Sequence, residues 1–187
     1  MKRNQFIASF LTIAAAPFLL LSQRQKPMLI NAKGFIVKAG EGRKHGHIVL
    51  KGINSNILDM KISGNDTNGD LAMFEQISHT QRRGAPLHIH HFQDEVFYVL
   101  EGAYYFQVGK EKYKLNSGDS IFLPRKVPHS WVQASEKGKL SVIFQPAGKM
   151  ESFFLAVAAL DHDPTAQEID KIFSDHEMQV VGPPLQL

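Results

Sequence analysis

A chain of 187 residues is long enough for one domain with a buried core, and 43% hydrophobic against 21% charged residues excludes a disordered polymer. The formal charge of +3 is local: Lys2, Arg3, Arg24 and Lys26 open the chain without an acid, and the remainder carries 17 basic against 18 acidic residues, which excludes a nucleic-acid-binding face. With no cysteine, disulfides and thiolate zinc sites are excluded as well.

The first element, residues 1–27, reads as an address. Met-Lys-Arg precedes an apolar run from Phe6 to Leu21 and then the polar stretch Ser22–Pro27. A short basic region followed by such a run has the form of an export signal. The run is shorter than the roughly 20 residues of a comfortable membrane span. The expectation is export to a periplasm, or an uncleaved tether to a membrane.

Short segments rich in β-branched and aromatic residues follow: Phe35–Lys38, Ile48–Lys51, Ile57–Ile62, Leu71–Ile77, Glu95–Leu100, Tyr104–Val108, Lys112–Leu115, Ser120–Leu123, Ser130–Gln133 and Leu140–Phe144. Turn clusters such as Gly64–Gly69 and Asn116–Asp119 separate them, which predicts an antiparallel sandwich or barrel. The period changes at Met150. Phe153, Phe154, Val157, Ala158 and Leu160 make a helical stripe, and a second helix is predicted near Thr165–Asp175, with Asp163 as its cap before Pro164. The Pro183-Pro184 tail ends the chain.

The chemistry concentrates in His88, His90, Glu95 and His129. Three imidazoles and a carboxylate suit a divalent transition metal with positions left open. His88 and His90 are two apart, so on a strand they share a face. Because the imidazoles must be neutral to bind, metal is expected to be lost as pH falls through the ordinary histidine range, near 6.5. His45-Gly-His47 repeats the spacing in a basic turn with no acid near it in sequence, and His91, His162 and His176 read as surface residues.

Gly84-Ala-Pro-Leu-His88-Ile-His90-His-Phe-Gln-Asp-Glu95 through Gly102 resembles the first cupin motif, and Gly118-Asp-Ser-Ile-Phe-Leu-Pro124 through His129 resembles the second. The likeness departs at Gly84, which stands four residues before His88 rather than six, at Lys126 in place of a glycine, and at Gln133 in place of an asparagine. The resemblance implies a mainly β fold, a double-stranded β-helix (cupin or jelly-roll barrel) over 28–149, with two short helices and a tail over 150–187. It implies one divalent transition metal (Fe, Mn, Ni, Cu, Co or Zn) held by His88, His90, Glu95 and His129, with Glu95 doubling as general base. The phrasing Pro-Leu-His-Ile-His-His and the helical C-terminus are similar to single-domain cupins labelled quercetin-dioxygenase-like.

Strand alternation aims Phe97 and Val99 inward with Glu95, and puts Trp131 and Gln133 on the face of His129; Phe106, Phe122 and Phe144 complete the expected lining. An apolar cavity beside an open metal suits a small aromatic or enol-bearing ligand, and an oxygenase is the first reading. A non-catalytic binding or sensing module, and a non-redox isomerase, are the alternatives. A homodimer is expected from the resemblance alone.

Overall fold

The computed structural model describes residues 33–50 and 56–187. The leader expected over 1–27 lies outside them, and among the described residues no helix is long and apolar enough to cross a membrane. The strands are β1 (His47–Val49), β2 (Ile57–Ile62), β3 (Ala72–Ser78), β4 (Leu87–His90), β5 (Asp94–Glu101), β6 (Ala103–Val108), β7 (Glu111–Asn116), β8 (Ser120–Leu123), β9 (His129–Gln133) and β10 (Gly138–Gln145). Helices α1 (Met150–Ala158) and α2 (Ala166–Asp175) follow, and β11 (Met178–Gly182) closes the order.

Two antiparallel sheets face each other, one ordered β1-β2-β3-β10-β5-β8 and the other β11-β4-β9-β6-β7. Parity decides which side chains enter the space between them. In β3, Ala72, Phe74, Gln76 and Ser78 are buried while Met73, Glu75 and Ile77 between them are half-exposed. Register aligns these inner positions into rows: Ala72 with Phe144 and Glu95, Phe74 with Val142 and Phe97, Gln76 with Leu140 and Val99. The core is therefore stratified along the strands, with the predicted ligand Glu95 in one outer row and Gln76 two rows away.

The structure differs from the sequence expectation at four elements. Residues 35–38 form no strand; Phe35 instead lies under the Arg43 guanidinium, 3.8 Å from its ring centroid. The tail is not plain coil, because Met178–Gly182 pairs with β4, setting Met178 opposite His90 and Val180 opposite His88. The α2 cap is Thr165 rather than Asp163: Thr165 and Glu168 form a reciprocal capping box that satisfies two otherwise free N–H groups. Finally, α1 ends at Ala158, two residues short of Leu160.

Two of the three departures from the cupin motifs, Lys126 and Gly84, have a backbone role. Lys126 adopts φ 65°, the left-handed conformation that glycine takes at no steric cost, and its N–H donates to the His90 carbonyl at 2.8 Å. Gly84 bridges Val132, and a Cβ there would fall 1.8 Å from the Trp131 carbonyl oxygen. Gly84→Ala must therefore push β9 outward, and we expect a loss of about 1–3 kcal/mol, read as a lower urea midpoint. An unchanged midpoint would show that β9 can shift freely.

Candidate metal centre

Three strands bring the four predicted residues to one place. His88 and His90 leave the same face of β4, and His129 sits opposite His88 in the β4–β9 pairing. Glu95 enters from β5 in the other sheet. One donor atom from each of the four lies within 4.8 Å of every other, and all four side chains are buried. The His88 and His129 ring centroids are 4.5 Å apart edge-on, and the His90 and His129 rings stack at 5.3 Å.

The outer hydrogen bonds fix which nitrogens point inward. His88 Nδ1 donates to the Pro86 carbonyl at 2.8 Å and His129 Nδ1 to the Val127 carbonyl at 3.0 Å. That leaves the Nε2 lone pair of each ring for a cation, the arrangement by which a backbone carbonyl orients a metal-binding imidazole. Glu95 Oε2 lies 3.2 Å from His129 Nε2 and 3.7 Å from His90 Nε2. Yet neither Glu95 Oε2 nor His129 Nε2 has a hydrogen-bond partner. Buried polar atoms are nearly always paired, so these two fit a group that takes lone pairs from both. The donor set and its orphaned atoms fit a divalent transition metal.

Burial sets the protonation states of the metal-free cluster. It pushes His88 and His129 down to about 4, and holds His90 well below its ordinary value together with the neighbouring imidazoles. Burial pushes Glu95 up to about 8. The rings are thus neutral at pH 7 without help, whereas Glu95 holds a proton that a metal must displace.

A narrow cavity of about 50 Å³ adjoins the cluster. Phe97, Trp131 and Phe144 line it as their parity implies, and Glu95, His88 and His90 form part of its wall. Val99, Phe106 and Gln133 are buried but do not line it. Gln133 is held at the β9–β10 turn, where its Nε2 donates to the carbonyls of Ser135 and Glu136. Phe122 must be corrected: it is 58% exposed, because its pairing with Val96 puts it on the outer face while Leu123 opposite Glu95 points in. Arg125 is paired with Asp94, its Nη2 2.6 Å from Oδ2.

The wall also contains residues that the strand pattern did not point to. Phe153, Phe154 and Val157 of α1, Phe173 of α2, and Met178 of β11 close one end, with Phe173 5.4 Å from the His88 ring centroid. The α1 stripe marked Phe153, Phe154 and Val157 as buried without saying against what. Gln76 carried no signal beyond its inward parity.

His45 and His47 each meet an acid after all. His45 Nε2 is 2.9 Å from Glu151 Oε1, and His47 Nδ1 is 2.6 Å from the buried Asp59. The two acids lie on different elements, and among the described residues the only group of three or more ligating side chains is the central one. His162 lies between Asp161 and Glu168, and His176 Nδ1 donates to the Ile172 carbonyl.

These protonation states move the expected pH window. Below about 8 metal uptake must expel the Glu95 proton, so affinity rises with pH across the neutral range and levels off near 8. The imidazoles add their own competition only as pH approaches 4. Calorimetric zinc titration near pH 6.5, in buffers of different ionisation enthalpy, should show about one proton released per ion and about tenfold tighter binding per pH unit. Release of none would contradict a protonated Glu95 in the metal-free site.

Residues 76–145 match the family model of the cupin domain. An uncharacterized protein of Methanocaldococcus jannaschii is 40% identical over 43 residues, 23% of this chain and 34% of its own length. Quercetin 2,3-dioxygenase of Bacillus subtilis is 27% identical over 138 residues, 72% of this chain and 39% of its own length. The chain thus spans little more than a third of the length of these two relatives. Among solved structures, an RmlC-like cupin from Shewanella frigidimarina superposes with a TM-score of 0.51 at 22% identity, covering 64% of this chain and 96% of that one, a likeness of fold. With two facing antiparallel sheets, both histidine-bearing motifs and the matched family model in agreement, residues 76–145 of this chain form a cupin domain.

Proposed function

We propose that the chain is a metal-dependent oxygenase acting on a small aromatic or enol-bearing compound. The observation that carries the proposal is the buried four-donor cluster, three of whose residues (His88, His90 and Glu95) line an otherwise largely apolar, aromatic-lined cavity. A redox-active metal bound by His88, His90, Glu95 and His129 would supply electron transfer between substrate and dioxygen. The chain's own residues do the rest. Glu95, whose proton a bound metal would displace, would then be a buried carboxylate in the cavity wall suited to take the proton of a substrate enol or phenol. Phe97, Trp131 and Phe144 offer flat apolar walls, and Phe153, Phe154 and Phe173 keep bulk water from the cluster.

The partial similarity to a quercetin 2,3-dioxygenase supports this reading. The size of the cavity favours a second. An apolar void of about 150 Å³ accepts benzene, and about 50 Å³ accommodates an ion and a few small atoms. A ring-bearing substrate must therefore displace phenyl side chains of α1 and α2, whereas a binding or isomerase-type cupin with a small ligand needs no such shift. The basic residues and apolar run of residues 1–27 support export for either activity.

Metal analysis followed by oxygen-uptake measurements across flavonols, β-diketones and catechols separates the readings. We expect uptake with at least one class after loading with iron, manganese, nickel or copper, and none with zinc. No uptake with any metal on any class would overturn the oxygenase.

A further inference from the structure

We infer that the Gln76 amide is a second polar anchor for the ligand, at the end of the cavity remote from the metal cluster, and that it determines specificity there. The inference rests on the proposed ligand-binding role of the cavity. Gln76 is only 5% exposed, lines the cavity, and its Nε2 has no hydrogen-bond partner. Apart from the candidate ligands and Gln76, the described lining residues are hydrophobic. An unpaired buried amide costs about 1–3 kcal/mol. An apolar side chain of similar length would avoid that cost, so the position is held against stability, which is what a binding group does before its partner arrives.

The rows place this anchor. Gln76 lies four residues along β3 from Ala72, the residue in register with Phe144 and Glu95. That is roughly 13 Å of strand, with the Phe74–Val142–Phe97 row between. Phe97, Val142, Trp131 and Ala85 line the intervening stretch. A ligand touching both ends is therefore flat and elongated. It carries one oxygen toward the cluster and a second acceptor oxygen, a carbonyl, ether or hydroxyl, at the far end where an N–H donor waits. A polyoxygenated two- or three-ring aromatic has that form, and it enters only as phenyl side chains of α1 and α2 move aside, because the cavity itself is about 50 Å³.

Two readouts test the assignment, one without any ligand. In the zinc-loaded protein, Gln76→Met and Gln76→Leu should each raise Tm by about 2–4 °C, since they remove an unpaired amide. The second readout is anaerobic binding of quercetin and 3-hydroxyflavone to the same zinc-loaded proteins. The two probes share the metal-facing hydroxyketone and differ in distal hydroxyls. Wild type should prefer quercetin about tenfold, and both variants should lose the preference while binding 3-hydroxyflavone normally. A fall in Tm for both variants would mean that the amide is a structural element and would overturn the inference, as would a retained preference. If neither probe binds wild type, flavonols are excluded as the substrate class, and the direction of the Tm shift alone decides for or against Gln76 as an unpaired anchor.

Discussion

A carboxyl group and three imidazoles are held in the interior of this barrel with Glu95 Oε2 and His129 Nε2 unpaired, and the surrounding architecture can be understood from that constraint. Removing such groups from water costs several kcal/mol unless a partner offsets it. The rings meet the cost by staying neutral, with His88 and His129 each giving a proton to a backbone carbonyl and directing a lone pair inward. Glu95 has no such donor at Oε2 and meets the cost by keeping its proton. A divalent cation would replace both compromises at once.

The scaffold is arranged to hold that arrangement still. β4, which carries two of the imidazoles, is not left as a sheet edge: β9 flanks it on one side and β11 on the other. The β8–β9 turn is tied back to β4 through Lys126 and the His90 carbonyl, and Gly84 lets the incoming chain lie directly on Trp131. Helices α1 and α2 then seal the end of the cavity with Phe153, Phe154 and Phe173. Specificity is written in what these phenyl groups exclude and in where Gln76 waits, more than in the candidate metal ligands, which many chemistries share.

What could be read from the chain beforehand followed strand parity. His88 and His90 are two apart, Glu95 begins a run of alternating residues, and each requires only local geometry to be aimed correctly. Phe122 was misplaced because the face of β8 depends on its register with β5, in which Leu123, not Phe122, stands opposite Glu95. β11 was missed for a related reason. Met178–Gly182 stands apart from the other strands, behind two helices, and is a strand because the edge of β4 is there to receive it. Gln76 looked like one polar residue among inward apolar ones, and only the absence of a partner in three dimensions gives it meaning.

The pH expectation shows the same division. Composition supplied the titrating groups, but the window belongs to the fold, because burial moves the histidines and the glutamate in opposite directions. The central claim is that these four side chains act as one site. Elemental analysis of wild type and His88→Ala, purified in parallel and dialysed against the same metal, tests it most directly. The account predicts one ion per chain in wild type and far less than one in the variant; a variant that keeps a full equivalent would contradict it.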